Sequence, residues 1–310
     1  MADKLLSYTP SGLYCEAGDF FIDSKRAVHR VLVSHAHGDH AVATSGEVFC
    51  TGPTESFMTY RFAEKRMPVF RRVAFGESFQ LNEVKVTYYP AGHILGSAQI
   101  LMEFEGKRYL YTGDFKIQAD DTCEQFEHVP CDYLITETTF ASPDYSHPDP
   151  EKEIFRILEG NDRVMIGAYA LGKAQRITKL ISRHFPGHAI HVHPDIENYH
   201  RIYQDHGIDL GKWKPYRRTE YRHGKSCLIV PPSYFSRYRD QTVMKVFATG
   251  WKRPFYRCDD VLQISDHADW SGILEVIQRT GARHISTVHG NGNHLKDYLK
   301  DHVEVKILGK

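Results

Sequence analysis

The sequence predicts an α/β protein built in two parts. Three observations carry this. The first ~140 residues read as short strands with few helices. Pro143, Pro148 and Pro150 then punctuate the chain as a boundary. Beyond them strands alternate with helices, the pattern of a layered α/β region.

The elements follow in order. Residues 20–23, 31–35 and 47–50 are short apolar runs rich in Val and Phe, hence strands. Residues 54–65 read as a helix with Thr54 as its cap. Strands are expected at 84–89, 98–103 and 108–111, with Glu105-Gly106-Lys107 as a hairpin connection. A further strand spans 133–136. After the prolines, 151–159 is helical, 164–168 a strand and 172–184 a helix. Near the end come a strand at 261–265, a helix at 270–279 and a strand at 284–288. Asp266 and Asp269 are acidic start signals for that helix.

Composition sets broad limits. The 310 residues are 41% hydrophobic and 25% charged, which suits one large globular domain or about two ordinary ones. Lys+Arg and Asp+Glu both number 39, so net charge points to no polyanion. Their distribution does. Residues 151–260 hold 20 basic and 12 acidic side chains, against 19 and 27 elsewhere. The middle third is therefore a basic surface, with a merely solvated face as the plain alternative. Six scattered cysteines form no CxxC pair, which argues against a zinc ribbon or redox motif and fits reduced thiols in a cytoplasmic protein. The opening MADKLLSYTP has no apolar signal core, and no run approaches membrane-spanning length.

The chemistry concentrates in VLVSHAHGDH, residues 31–40. On a strand, His35 and His37 fall on one side. Gly38 would let the backbone turn and bring Asp39 and His40 to the same pocket. Neutral imidazoles and a carboxylate suit zinc or a similar metal. Three more residues could join them. His93 lies between Gly92 and Gly96 in a loop, where a solvated histidine is the ordinary case. Asp114 ends an apolar strand, as a cap or as a bridging carboxylate. His289 ends another strand, before a glycine. These divide into His35, His37 and His93 for one metal and Asp39, His40 and His289 for a second, with Asp114 between. Two metals ~3.5–4 Å apart can share a hydroxide nucleophile and stabilise a phosphoryl transition state. Glu137 and His267 fit the remaining need, a carboxylate-held histidine that protonates a leaving oxygen, although a cap or ligand role stays open for each. The run GHAIHVH, 187–193, suits a strand face rather than another metal site.

In this order, HAHGDH (35–40), His93, Asp114, Glu137 in ITETTF, His267 in SDHAD and His289 in VHG resemble the motifs of the metallo-β-lactamase superfamily and, within it, the β-CASP nucleases. VMIGAYALGKAQRI (164–177) resembles the start of a β-CASP cap, and ATGWKRPF with LQISDHADWSGIL is similar to bacterial DNA-ligase-associated exonucleases. The resemblance covers nearly the whole chain. It implies an αββα sandwich in two parts, 1–145 and 259–310, with an α/β β-CASP cap inserted at 146–258. It implies two zinc ions, with manganese as an alternative, and catalysis by Asp39, Asp114, Glu137 and His267. His267 would be the general acid in a DNA exonuclease serving repair. The expected substrate is single-stranded DNA, with a DNA ligase or helicase of the same pathway as partner. His289 departs from this picture, because RNA-processing branches carry histidine there and the eukaryotic DNA-repair branch tends to valine. DNA against RNA thus stays open.

The basic third acquires a use in such a cap. Lys173, Arg176, Arg217, Arg218, Lys252 and Arg253 would meet phosphates, with Trp251 and the aromatics Tyr169, Tyr234, Phe235 and Tyr256 among them to stack on bases. Lys173 would also sit in the first turn of a helix, where backbone N–H groups favour a phosphate. The plain alternative for the aromatics is core. Two rival functions are an RNA-processing nuclease and a glyoxalase-II-like hydrolase of small thioesters. The long, net basic stretch between Glu137 and His267 disfavours the second, which needs no such insertion.

Overall fold

The computed structural model describes every residue except 1–4, 44–45, 64–66, 218–223, 239–241 and 309–310. The chain divides into two compact units, one formed by 1–119, 123–144 and 267–310, the other by 120–122 and 145–266. The second unit runs on to Asp266 rather than stopping near 258, because its last strand is hydrogen-bonded within that unit's sheet. No described helix is long and apolar enough to cross a membrane.

The first unit is two sheets face to face. Strands β1 (Leu6–Thr9), β2 (Gly12–Cys15), β3 (Phe20–Ile22), β4 (Arg30–Leu32), β5 (Glu47–Cys50) and β6 (Val69–Arg72) form one, in chain order, with α1 (Gly52–Arg61) after β5. The other begins with β7 (Ser78–Leu81), β8 (Val84–Pro90), β9 (Ala98–Phe104), β10 (Lys107–Tyr111) and β11 (Tyr133–Thr138). Strand β9 shows why they stack. Ile100 and Met102 enter the core between the sheets, with Tyr88, Tyr109 and Phe20, whereas Leu101 faces the opposite way into a second core. Both faces are covered, so these strands read as nearly continuous apolar runs. Glu105 and Gly106 both take positive φ, 47° and 70°, and close the β9–β10 hairpin in two residues. Helix α1 starts earlier than the sequence predicts. Thr51, not Thr54, is its cap, since Pro53 is accepted in the first turn and Thr51 takes the Thr54 N–H at 3.4 Å.

The second unit is a parallel sheet. Helix α2 (Pro150–Leu158) precedes β12 (Arg163–Gly167), α3 (Lys173–His184), β13 (Ala189–Val192), α4 (Pro194–Asp205), β14 (Lys214–Pro215), β15 (Ser226–Val230), α5 (Pro232–Phe235), β16 (Met244–Ala248) and β17 (Asp260–Leu262). The strand order is β14-β13-β15-β12-β16-β17. Along β12, Val164 and Ile166 join the core beneath α2 and α3, and Met165 joins the opposite core with Phe235 and Phe247.

One buried histidine makes this unit's stability depend on pH. His200 on α4 lies between α3 side chains, with Gln175 Nε2 donating to its Nδ1 at 3.0 Å and its Nε2 against Thr178 Oγ1 at 2.8 Å. Thr178 Oγ1 donates its own hydrogen bond to the Ala174 carbonyl, so the ring donates from Nε2 to Thr178, accepts at Nδ1 and is neutral. Burial lowers its pKa from 6.5 to about 3. The unfolded chain binds the proton below pH 6.5 and the folded chain does not, so stability is lost as pH falls from there toward 3. From pH 7 to 5 the loss should be about 2 kcal/mol. Denaturant melts of the protein and of His200→Gln check this: the variant should lose that share of the slope.

The chain returns to the first unit with α6 (Trp270–Thr280), β18 (His284–Gly290), α7 (Asn293–Leu299) and β19 (Glu304–Ile307). They complete the second sheet as β19-β18-β11-β10-β9-β8-β7, with α6 and α7 packed on its outer face. Asp269 caps α6 by accepting the Gly272 N–H at 3.0 Å, and Gly281 ends it in the left-handed region. Asp266 plays no part in that cap.

Candidate metal centre

The centre forms where strand ends of the first unit converge. Strand β4 ends at Leu32, so His35 and His37 do not lie on a strand. They leave it in an irregular segment that closes as a turn, with the His40 and Ala41 N–H groups on the His37 carbonyl. Gly38 keeps a negative φ, and a Cβ there would meet nothing within 4 Å, so the turn does not demand a glycine at 38. What shapes it is a clamp. The Arg61 guanidinium, at the end of α1, donates to the carbonyls of Ala36 and Ala41 on either side of the turn.

The loop after β8 brings His93, and the ends of β10, β11 and β18 bring Asp114, Glu137 and His289. Gly92 permits the first of these, because a Cβ there would lie 2.2 Å from the Lys116 carbonyl. At β18 the register against β11 slips, pairing Glu137 with Val288 and Thr138 with Gly290. His289 is the bulged residue, with φ at 49°, and Thr138 Oγ1 donates to its carbonyl at 2.8 Å. A bulge of this kind re-aims one side chain at the cost of ~1–3 kcal/mol of strain. Gly290 is required here, since a Cβ would sit 2.3 Å from the Thr138 carbonyl.

Among the described residues the ligand-type atoms fall into four groups within 4.8 Å: His35, His37, His93 and Asp114; Asp23, His35 and His40; Asp39, His40 and His289; and Asp114, Glu137 and His267. Asp114 Oδ2 lies 3.3 Å from His40 Nε2, 3.6 Å from His35 Nε2 and 4.0 Å from His93 Nε2, within reach of histidines from several of the groups. His93 Nε2 is 2.9 Å from His37 Nδ1. The buried atoms His35 Nε2, His40 Nε2 and Asp114 Oδ1 have no hydrogen-bond partner. Each such orphan costs ~1–3 kcal/mol, which a cation would remove. Donor set and orphans both fit divalent metal.

Electrostatics point the same way. Burial and the neighbouring His40 and His93 hold His35 well below the usual histidine range. Burial also works against a charge on His40, but Asp114 and Asp23 outweigh it and hold His40 well above that range. Asp114 is buried too, yet His40 and His267 keep its carboxyl well below normal. Burial and His40 lower His289. A bound metal would supply the positive charge that this carboxylate favours.

Asp23 escaped the sequence reading. It holds His40 Nδ1 at 2.7 Å and accepts from Ser34 Oγ at 2.6 Å and Tyr111 Oη at 2.8 Å. The Nδ1–H bond fixes the tautomer that aims Nε2 into the cluster. Its signal is an aspartate ending an apolar strand, the same signal that marks Asp114. His267 Nδ1 lies 2.9 Å from both Glu137 oxygens, and the Phe115 N–H donates to Glu137 Oε1 at 2.8 Å. Glu137 is thereby fixed, and in turn orients the imidazole. Asp39 is the exposed member of the group, 3.7 Å from His40 Nε2.

In the second unit the predicted phosphate-binding side chains separate into two classes. Lys173 and Arg176 are buried. Lys173 pairs with Asp266 at 3.4 Å, and Arg176 donates to the Ser265 carbonyl at 2.7 Å and pairs with Asp120 at 3.2 Å. Their charges are satisfied inside the fold, which corrects their reading as surface groups. Phe235, Tyr234 and Tyr256 likewise belong to the core cluster around Phe247. Arg217, Lys252 and Arg253 are exposed, Trp251 is half-buried, and Arg218 lies outside the described residues.

Comparison with known proteins agrees with this geometry. A model of the beta-lactamase superfamily domain matches residues 21–210. A protein of Opitutus terrae called a probable DNA ligase is 31% identical over 94% of this chain, which spans 30% of that protein. An RNase J-like protein of Methanocaldococcus jannaschii is 31% identical over 56% of this chain and 48% of its own length. The cleavage and polyadenylation specificity factor subunit 3 of Dictyostelium discoideum is 28% identical over 50% of this chain and 25% of its own length. The chain thus spans less than half the length of each. A crystal structure of a protein of unknown function from Enterococcus faecalis shares the fold, with TM-score 0.64 and 15% identity over 90% of this chain and 79% of that one. The paired sheets are an αββα sandwich, the inserted parallel unit is a β-CASP cap, and the chain belongs to the metallo-β-lactamase superfamily.

Proposed function

We propose that the chain is a metal-dependent phosphodiesterase acting on nucleic acid, a DNA exonuclease in repair. The observation that carries the reading is one continuous constellation: six ligand-type residues gathered about a seventh, Asp114, with the Glu137–His267 pair against its rim. His35, His37 and His93 would hold one zinc or manganese, Asp39, His40 and His289 another, with Asp114 shared. Bound, these ions would polarise phosphoryl oxygens and acidify water. The chain's own groups do the rest. Asp23 keeps His40 Nε2 aimed inward. Glu137 takes the His267 Nδ1–H, which reserves Nε2 for a proton delivered to the leaving oxygen. A region like this chain inside a protein called a probable DNA ligase supports DNA as substrate and a ligase as pathway partner.

A second reading, RNA processing, draws on the relative called RNase J-like protein. Digestion of end-labelled single-stranded DNA, duplex DNA and RNA with added Zn²⁺ or Mn²⁺ tests both. DNA cleaved progressively from one end is expected. A clear RNA preference would replace the repair assignment, and hydrolysis of thioesters alone would overturn nuclease function.

Nucleic acid would meet the second unit at the carboxyl edge of its sheet. Parallel strands send all their carboxyl ends to one edge, where ligands of such sheets bind. Arg217 follows β14, and Trp251, Lys252 and Arg253 follow β16, at that edge. Charge reversal of Lys252 and Arg253, or of Arg217 and Arg218, should weaken binding and flatten its salt dependence. The log–log slope should fall by roughly one unit for each phosphate no longer neutralised. Turnover of a small phosphodiester should survive. Affinity measured from low to high salt decides it, and an unchanged slope would leave the basic surface merely solvated.

A further inference from the structure

Three aromatic rings gather beside these cations. Tyr145 meets Trp251 edge-to-face, with centroids 5.6 Å apart at 89°. Trp251 meets Phe255 at 6.3 Å and 73°. The Lys252 ammonium lies 6.0 Å from the Tyr145 ring centre. Phe255 is 71% exposed, the most exposed large apolar side chain among the described residues. Burying such a ring would stabilise the fold by ~1.5–3 kcal/mol, so its exposure is not a packing solution. A lone surface aromatic means little, but this one belongs to a cluster set among charges. Residues 249–258 carry Lys252, Arg253 and Arg257 and no acid.

We propose that Tyr145, Trp251 and Phe255 form a stacking platform for unpaired nucleobases, which makes the single strand the substrate form this chain selects. The inference rests on the nuclease reading and deepens it. Phe255 touches Trp251 edge-to-face and is otherwise 71% exposed, so at least one face of its ring is left open for a base to cover. The neighbouring cations match a phosphate backbone. In a duplex, base faces are already stacked and the platform has nothing to take. On a single strand they are available, and base–aromatic stacking tolerates any sequence. Tyr145 and Phe255 lie far apart from each other in sequence, one before α2 and one after β16, so only the fold assembles the platform.

The test uses the full, metal-loaded chain with phosphorothioate-linked DNA, which slows cleavage. Fluorescence anisotropy compares an unpaired strand of about 12 nucleotides with a blunt hairpin of similar charge. The unpaired strand should bind at least about 10-fold tighter. Phe255→Ala should cost about 10-fold on the unpaired strand and nothing on the hairpin. Phe255→Tyr should restore binding, and Phe255→Leu, apolar but without a ring, should not. Trp251→Ala should act in the same direction, with circular dichroism confirming its fold. Phe255→Ala leaving unpaired affinity within about twofold, or weakening both DNAs equally, would overturn the platform while the nuclease reading stands. Wild-type protein that neither binds nor cleaves nucleic acid would remove the nuclease reading, and the platform with it.

Discussion

Chelating the metal should abolish phosphodiester hydrolysis and lower the unfolding temperature together, and adding Zn²⁺ or Mn²⁺ back should restore both. The reason is local. His35 Nε2, His40 Nε2 and Asp114 Oδ1 are buried with no hydrogen-bond partner, so the metal-free fold carries their desolvation cost. An ion that binds only the folded state stabilises it by ~2.7 kcal/mol at 100 times its dissociation constant. For a unit of this size that is roughly 5–10 °C. Asp114→Asn probes the same point by mutation. Its carboxylate belongs to two of the ligand groups and lies 3.3 Å from His40 of a third, and an amide cannot replace its charge. The variant should fall to background activity, and its unfolding temperature should no longer respond to metal. Calorimetry with and without chelator, alongside metal analysis, checks both. A variant with full metal content and wild-type thermal response would show that Asp114 is not the shared ligand.

His267→Ala should keep its metal and lose roughly 10²–10⁴-fold in turnover. The side chain is held by Glu137 at 2.9 Å and lies 4.0 Å from Asp114, in a group with those two carboxylates and outside the histidine groups. The proposed function puts the proton donor to a leaving oxygen there. Glu137→Gln should show a smaller loss of the same kind, because the amide can hold the ring but cannot balance an imidazolium. A substrate with a good leaving group, such as a nitrophenyl phosphodiester, should partly rescue His267→Ala, since that oxygen leaves without a proton. Loss of an ion from His267→Ala, measured by elemental analysis, would make His267 a ligand instead.

Much of this site is legible in the order of the residues. The spacing of His35, His37, Asp39 and His40, the strand-end positions of Asp114 and His289, and the glycines beside His93 all lie on the chain as local patterns. Local patterns survive because each depends on a few neighbours. The strand–helix alternation of the middle third is of the same kind, and β12 and α3 lie close to their expected places. The left-handed conformations of Asp23 and His289 give no such signal, because only the surrounding sheets make those conformations worthwhile.

The sequence by itself determined which side chains of ligand type stand at strand ends and turns, the two-part architecture and the basic bias of the insertion. Tertiary structure decided which charges remain available. Lys173 and Arg176 count as surface cations in any composition, yet Asp266, Asp120 and the Ser265 carbonyl engage them inside the second unit. Lys252 and Arg253, identical in kind, stay in solvent. The same sorting divides the aromatics, with Phe235 fully buried and Phe255 exposed. It also selected Asp23 and Arg61, which hold the metal turn from β3 and α1. The physical reason is that burial and pairing depend on what distant segments bring alongside. That information is shared between strands and helices, and no single stretch of the chain contains it.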